Sequence, residues 1–211
     1  HPVSFLHAYT GRDPYYTCRL GLLNIKAERT VLLVRDPRDT VVSFYHHVQA
    51  KEARYRLPRD LELDEFIRSE TMGIRAICAY IRAVEELRSD HFPALEVIFF
   101  EDLVRDPTSI FTRMLTALGL PIEEDAVRFA VEHATFSRLQ AAEKITVAQR
   151  DGSTETNNLR FRQGHIGSHT ALSETDRLYL NQVLYREAAS SRILKRYMSR
   201  PRYLMGRVMR I

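Results

Sequence analysis

Two short runs of apolar residues, each followed by an aspartate–proline pair, organise the chain. The runs lie at residues 30–34 and 95–100, and the Asp-Pro pairs at 36–37 and 106–107. A continuous β-prone run such as residues 30–34 is typical of a strand that a parallel sheet buries on both faces. Residues 95–100 also have the character of a strand. Aspartate suits the N-cap of a helix, and proline suits its first position. The pattern therefore predicts two units of strand, tight turn and helix.

Apolar residues elsewhere recur at helical spacing. The helix after the first turn should continue to Val48, and the helix after the second should continue to Leu118 and end at Gly119. Further helices are predicted over residues 74–87, 123–133, 174–189 behind a Ser173 cap, and 191–199. A short strand is predicted at residues 3–7, and the glycines and small polar residues of segment 150–169 predict a long loop.

The order of these elements favours an α/β fold, a three-layer α/β/α arrangement with a central parallel sheet. The chain has 211 residues, 45% hydrophobic and 27% charged, which predicts a single domain over residues 1–211. The longest aliphatic run, residues 31–34, is far shorter than the ~20 residues of a transmembrane helix. The two cysteines, at positions 18 and 78, lack metal-site spacing, so buried reduced thiols are expected.

Positive charge is concentrated at the C-terminal end. Residues 192–211 contain seven arginines and lysines and no acidic residue, and we treat them as a basic tail. Because the formal net charge of the whole chain is +4, residues 1–191 carry −3, which argues against a basic nucleic-acid-binding face. Apolar residues alternate with these cations. The pattern suits either contact with an anionic membrane surface or a C-terminal segment packed on the domain.

The end of the first predicted strand offers a candidate anion site. Ligands of open parallel sheets collect beyond the carboxyl ends of the strands, where helix N-termini present free N–H groups. Arg35 lies at this edge, and arginine binds phosphate through two parallel hydrogen bonds. Ser43, in the following helix, could donate its hydroxyl to the same anion. The alternative is that Arg35 pairs with Asp39 and that Ser43 is an ordinary helix residue.

A second candidate is the segment 161–167, Phe-Arg-Gln-Gly-His-Ile-Gly. Glycines beside an arginine let backbone N–H groups come close to a phosphate, as in anion-binding nests. The alternative is a flexible surface loop in which the glycines are incidental. His165 and His169 have a spacing that suits a metal only on a helix, which the glycines disfavour, so no metal site is predicted.

Four motifs, in order along the chain, resemble those of sulfotransferases that use 3'-phosphoadenosine 5'-phosphosulfate (PAPS). Residues 31–47 resemble the segment that binds the 3'-phosphate, and residues 99–107 resemble the Tyr-Glu-Asp segment. Residues 132–136 are similar to the His-Thr-Ser-Phe turn, and residues 161–167 are similar to the Arg-Lys-Gly-x-x-Gly loop. The resemblance spans about residues 30 to 185 and implies a fold like that of P-loop nucleotide hydrolases.

The resemblance also implies roles for particular residues. Arg35 and Ser43 would bind the 3'-phosphate, and Phe136 would line the nucleotide pocket. Phe100 stands where the family has tyrosine and would pack near the adenine. The loop residues Arg162 and Gly164 would close over the phosphate, with Gln163 between them where the family has lysine, and Ala134 replaces a threonine of the third motif.

The phosphosulfate-binding loop of the family, typically Pro-Lys-Ser-Gly-Thr-Thr-Trp after a first strand, does not occur in these residues. We expect that this strand and loop precede His1 in the natural protein; the alternative is a degenerate member of the family. His7 corresponds best to the catalytic histidine of the family. It would act as the base that accepts the proton of the acceptor, a task that suits the pKa range of histidine.

Together these features predict a PAPS-dependent sulfotransferase that acts on a hydroxyl or amine of a small-molecule, lipid or carbohydrate acceptor and releases 3'-phosphoadenosine 5'-phosphate (PAP). The alternative is a catalytically inactive nucleotide-binding or membrane-associated module of the same fold. A nucleotide kinase is disfavoured, because no G-x-x-x-x-G-K-[ST] motif is present. A cytoplasmic location is expected, and peripheral membrane contact through the basic tail and homodimer formation are left open.

Overall fold

A parallel pair of strands lies at the centre of the domain. The computed structural model describes residues 27–49, 61–151 and 166–198. Strands β1 (Arg29–Val34) and β2 (Ala94–Phe99) pair in parallel, with Leu32 opposite Val97. The α/β fold and the parallel pairing that the sequence predicts are therefore confirmed. The strand predicted at residues 3–7 lies outside the described residues.

Helices make up most of the described chain. They are α1 (Pro37–Gln49), α2 (Leu63–Arg68), α3 (Ile74–Glu86), α4 (Arg88–His91), α5 (Phe100–Arg105), α6 (Pro107–Leu118), α7 (Glu124–His133), α8 (Phe136–Asp151), α9 (Glu174–Ala188) and α10 (Arg192–Lys195), and a 3-10 helix covers Ser168–Ala171. The predicted helices α1, α3, α6, α7 and α9 are confirmed, with small differences at their ends.

Local capping signals set the ends of α6 and α9 as the sequence predicts. The carboxylate of Asp106 accepts the backbone N–H of Ser109 at 3.2 Å, and proline fills the first position of α6. Gly119 ends α6 in the left-handed conformation, with φ 67°. At α9 the hydroxyl oxygen of Ser173 accepts the backbone N–H of Asp176 at 3.1 Å. Short-range chemistry therefore explains where α6 begins and ends and where α9 begins.

Helices cover the two faces of the sheet unequally. On one face, Leu32 and Val34 of β1 enter the main core, which α1, α3 and α9 complete. On the other face lies α6, whose Arg113 binds the Glu96 side chain at 2.8 Å. Leu33 points to this second face and remains 49% exposed. Within the described residues, the prediction that β1 is buried on both faces is therefore correct for one face only.

Three expectations about the elements are wrong in detail. Strand β2 ends at Phe99, and Phe100 already belongs to α5. The loop predicted over residues 150–169 is helical at both ends, since α8 continues to Asp151 and the 3-10 helix begins at Ser168. Because α8 has no one-sided apolar stripe, periodicity cannot reveal it. The helix predicted over residues 191–199 is shorter and covers Arg192–Lys195.

The first part of the basic tail, together with Ser191 before it, packs on the domain. Leu194 and Tyr197 are buried, and the Ser191 hydroxyl donates to a carboxylate oxygen of Glu85 at 2.6 Å. Residues 199–211 lie outside the described residues. Cys78 is buried in the core, as predicted, and burial raises the pKa of its thiol. Among the described helices, none has both the length and the apolar character that crossing a bilayer requires.

Candidate functional site

The carboxyl ends of β1 and β2 meet the N-terminus of α1 at one edge of the sheet. Arg35 and Asp36 form the turn from β1 into α1. Phe100 and Glu101 occupy the corresponding positions after β2, because α5 follows that strand directly. In open parallel sheets this is the edge at which ligands bind. Two segments that are 65 residues apart in sequence therefore contribute to one candidate site.

Glu101 fixes the turn between β1 and α1. One of its carboxylate oxygens accepts the backbone N–H of Asp36 at 2.9 Å, and the other accepts the Tyr197 hydroxyl at 3.0 Å. The Tyr197 oxygen also lies 3.3 Å from the carbonyl oxygen of Val34. Burial, and then the negative charge of Glu101, raise the pKa of Tyr197, so its hydroxyl remains a donor. The C-terminal segment therefore helps to hold the site.

The side chain of Arg38 is engaged by partners within the fold. Its Nε and Nη2 atoms bind the two carboxylate oxygens of Asp36 at 3.0 and 2.6 Å, and Nη1 donates to the Asn181 side-chain oxygen at 2.7 Å. Asp36 also accepts the Arg38 backbone N–H at 2.9 Å. The backbone N–H of Arg38, one of the free donors expected at a helix N-terminus, is therefore taken by Asp36. This leaves side chains as the main candidate donors.

Arg35 lies between three neighbouring side chains. Its Nη2 atom donates to the Ser168 hydroxyl oxygen at 3.2 Å and lies 3.6 Å from a carboxylate oxygen of Asp39. Its guanidinium carbon lies 5.0 Å from the centre of the Phe100 ring, a cation–π contact. The ion pair with Asp39 that the sequence left open is thus observed. Because a guanidinium has five N–H donors, this pair does not exclude an anion.

Asp39 connects α1 to the segment 167–169 and is itself buried. Its Oδ2 atom accepts the backbone N–H of Gly167 at 2.6 Å. Its Oδ1 atom accepts the backbone N–H of His169 at 3.0 Å and lies 2.6 Å from the His169 Nδ1 atom. Burial acts to raise the pKa of Asp39, but the bonds from His169 and Gly167 outweigh it and hold the pKa at about 2. The carboxylate is therefore ionised at neutral pH.

The structure brings together some of the predicted site residues. Arg35 and Phe100 are in contact, so the Phe100 ring packs on the guanidinium. Ser43 is exposed on α1, six residues beyond Pro37 and about 9 Å along the helix axis. Phe136 is half-buried and begins α8. His7, Arg162, Gln163 and Gly164 lie outside the described residues, and the roles of all these residues stay predictions.

Several residues that shape the site could not be recognised as site residues from the sequence. Ser168 and His169 directly follow the glycine-containing segment, but their contacts with α1 join positions about 130 residues apart. Asp39 was considered only as an ion-pair partner of Arg35. Glu101 and Tyr197 had no signal of their own beyond the motif and the basic segment in which they occur. Long-range contacts of this kind leave no local pattern in a single sequence.

Most of the chain matches a known protein family. A family model described as the sulfotransferase domain matches residues 15–189. The chain belongs to the sulfotransferase family. The matched region contains both strands and Arg35, together with the side chains of Asp39, Phe100 and Ser168 that lie against it. This part of the candidate site therefore lies within the sulfotransferase domain, and Tyr197 lies beyond the matched residues.

Solved structures with the same fold are distant in sequence. Mouse sulfotransferase SULT7A1 complexed with PAP is 19% identical, with a TM-score of 0.61 over 80% of this chain and 62% of that chain. Retinol dehydratase with androsterone and the inactive cofactor PAP is 20% identical, with a TM-score of 0.63 over 80% of this chain and 48% of that chain. Its complex with retinol and PAP is 21% identical, with a TM-score of 0.62 over 79% and 48%. These likenesses establish the fold.

The chain spans between about half and three fifths of the length of these solved structures. The sulfotransferase fold is therefore shown for this chain. We propose the activity, cofactor and acceptor of this chain below.

Proposed function

We propose that this sulfotransferase domain binds PAPS and transfers its sulfuryl group to a hydroxyl or amine, with release of PAP. The observation that carries the proposal is the Arg35 guanidinium at the carboxyl end of β1, in contact with Ser168 and Phe100. The three structural neighbours are complexes with PAP, which supports a nucleotide with a 3'-phosphate as the ligand of this chain.

The donors at the site suit a phosphate group. Arg35 supplies a delocalised positive charge and parallel N–H donors, and Ser168 adds a hydroxyl beside it. The N-terminal dipole of α1 favours an anion at the same place, even though Asp36 occupies one of its N–H groups. The residues present therefore fit the 3'-phosphate that we propose for Arg35.

The residues of the chain would act mainly by binding and positioning. PAPS supplies a sulfuryl group that is already activated by its bond to a phosphate. Arg35 would neutralise the charge of the 3'-phosphate and so fix the nucleotide along the sheet edge. His7 is proposed as the base that takes the acceptor proton, as the attacking oxygen or nitrogen bonds to sulfur and the sulfur–oxygen bond to PAP breaks.

A small molecule is the acceptor class that we propose. The two structures of retinol dehydratase contain androsterone and retinol, which are small molecules. A lipid or carbohydrate would be an alternative acceptor within the same reaction. A screen of hydroxyl and amine compounds for release of PAP, with PAPS as donor, would separate these classes. Absence of transfer together with intact PAP binding would favour an inactive nucleotide-binding module.

Calorimetric titration with PAP tests the site directly, with AMP as the control ligand that lacks the 3'-phosphate. We expect PAP to bind at least ten times more tightly than AMP. Arg35→Ala should weaken PAP binding by roughly 10- to 150-fold, the loss of one charge-assisted phosphate contact worth ~1.5–3 kcal/mol. AMP affinity should change little, because AMP has no phosphate at that position.

Arg128→Ala is the matched control for this experiment. Arg128 is exposed on α7 and pairs with Asp125 at 2.6 Å, so the substitution removes the same charge from a residue outside the candidate site. We expect the control to bind PAP as the parent chain does. Equal PAP affinity in the two variants would show that Arg35 does not bind the 3'-phosphate, and a parent chain that does not discriminate PAP from AMP would contradict the proposed function.

A further inference from the structure

The partners of Asp39 explain why a carboxylate is buried in the first turn of α1. An acidic residue there usually interacts with the helix dipole while exposed to water. The Asp39 side chain is instead 1% exposed, and it accepts two backbone N–H groups and contacts one imidazole nitrogen from the segment 167–169. Such a set of contacts fixes the position of a polypeptide segment relative to a helix.

Ser168 lies between the two residues whose backbone Asp39 binds. With the N–H groups of Gly167 and His169 held by the same carboxylate, the backbone of Ser168 is restrained on both sides. The Ser168 hydroxyl oxygen is the atom to which Arg35 donates, at 3.2 Å. A chain of contacts thus joins the Asp39 carboxylate to the Arg35 guanidinium through Ser168.

We propose that Asp39 is a positioning residue for the nucleotide site: it places Ser168 against Arg35, and so orients the guanidinium toward the 3'-phosphate. The inference rests on the proposed function, because it concerns the same site. Asp39 acts through its neighbours in this account and need not touch the nucleotide.

A purely electrostatic role for Asp39 makes the opposite prediction. Its negative charge lies 3.6 Å from Arg35 and would repel a phosphate bound there. If charge alone mattered, removing it would strengthen PAP binding. In Asp39→Asn the side chain keeps its shape but presents an NH2 group to the N–H donors that the carboxylate accepts, so the segment 167–169 loses its fixed position. The direction of the change in affinity therefore distinguishes the two roles.

The first test compares PAP and AMP affinities in the whole chain. We expect Asp39→Asn to bind PAP at least ten times more weakly, with AMP affinity unchanged. In an Arg35→Ala background the same substitution should cause a smaller loss, because Asp39 acts in part through Arg35. Tighter PAP binding, or an equal loss for PAP and AMP, would overturn the proposal.

Two further variants show whether a loss of PAP binding is caused by unfolding of the chain. Asp176→Asn is the control, since it removes a carboxylate that pairs with Arg68 at 2.7 Å and accepts from Ser173 at 2.6 Å, and it should leave PAP binding unchanged. Ser168→Ala removes one hydroxyl from a surface segment. It should weaken PAP binding several-fold while thermal unfolding stays unchanged; unchanged PAP affinity in Ser168→Ala would also overturn the proposal.

Hydrogen exchange without ligand tests the positioning separately from the proposed function. Backbone amides of residues 166–171 should exchange faster in Asp39→Asn than in Asp176→Asn. If the parent chain binds no PAP, the proposed function fails and this measurement alone decides whether Asp39 holds the segment. Equal exchange in the two variants would show that it does not.

Discussion

Gly167 combines an unusual backbone conformation with an essential hydrogen bond. Its φ of 89° lies in the region that residues with a side chain rarely adopt. Its N–H donates to the Asp39 carboxylate at 2.6 Å, and its carbonyl oxygen accepts the Thr170 hydroxyl at 2.7 Å. The glycine is therefore needed for the conformation that brings the following residues against α1.

We expect Gly167→Ala to lower the free energy of unfolding by about 1–2 kcal/mol, the cost of placing a Cβ in the left-handed region. An open space surrounds the new atom, since the nearest neighbour is a Thr170 methyl at 3.9 Å, so strain rather than collision is the cause. Urea unfolding measures the loss. Gly167→Asn is the control: asparagine tolerates this conformation and should lose less, and an equal loss would contradict the explanation.

Some residues of the site can be recognised from the sequence alone, and others cannot. Arg35 could be found because it follows a β-prone run and precedes an Asp-Pro turn, both local signals. Its ion pair with Asp39 follows from their spacing of four residues across the turn that leads into α1. The contacts of Ser168 and His169 could not be found, because they depend on how two segments about 130 residues apart meet in the folded chain.

At the scale of elements, helix N-termini show which capping signals matter. The Asp106 carboxylate accepts the Ser109 N–H and so satisfies one of the free donors at the start of α6. Glu123 occupies the same position before α7 but makes no capping hydrogen bond with its side chain. The two helices therefore offer a comparison within one domain.

Asp106→Ala should lower the free energy of unfolding by about 1 kcal/mol, because α6 loses its N-cap. Glu123→Ala should change the free energy of unfolding by no more than a few tenths of about 1 kcal/mol. Chemical denaturation of the two variants and the parent chain measures both values. Equal stability of the two variants would show that the Asp106 hydrogen bond contributes nothing to α6.

Elements differ in predictability for physical reasons. The helices α1, α3 and α9 bury one face in the main core, and that requirement appears in the sequence as helical spacing. Helices α2 and α5 span six residues each, which is too short for periodicity to be recognised. The polar helix α8 has no one-sided apolar stripe in its sequence, so its Ala, Gln, Glu and Lys residues are the main signal of its helical state.

For the whole molecule, the state of Asp39 links stability to pH. Its pKa falls from 3.8, the ordinary value, to about 2 in the folded protein. A carboxyl whose pKa is lower in the folded state stabilises that state above the unfolded pKa, and the contribution is lost as the pH falls through the folded pKa. The difference corresponds to about 2 kcal/mol.

We therefore expect the free energy of unfolding of the parent chain to exceed that of Asp39→Asn by this whole difference of about 2 kcal/mol at neutral pH. The part of this difference that comes from ionisation of Asp39 should decrease as the pH falls from about 4 to about 2, and it should be absent at lower pH. Urea unfolding of both chains at a series of pH values gives this curve. A gap that does not narrow on acidification would mean that ionisation of Asp39 does not stabilise the fold.

The overall architecture was predictable because it depends on a few strong patterns. Two buried runs, each followed by Asp-Pro and a helix, define the parallel pairing of β1 with β2 that the structure confirms. The relation of the C-terminal segment to the sheet was not predictable. Tyr197 reaches Glu101 and the carbonyl oxygen of Val34, and neither contact has a local sequence signal.

The bond from Asp39 to the segment 167–169 also has a consequence for the order of folding. It closes a loop of 128 to 130 residues, and contacts of such separation pay a large entropy cost before they stabilise anything. Contacts among α1, α2 and α3 are far more local and can form first. On the ribosome, the edge that holds Arg35 cannot be completed until residue 169 has left the exit tunnel. We therefore expect substitution of Asp39 to accelerate unfolding while leaving the rate of folding nearly unchanged, as measured by stopped-flow kinetics.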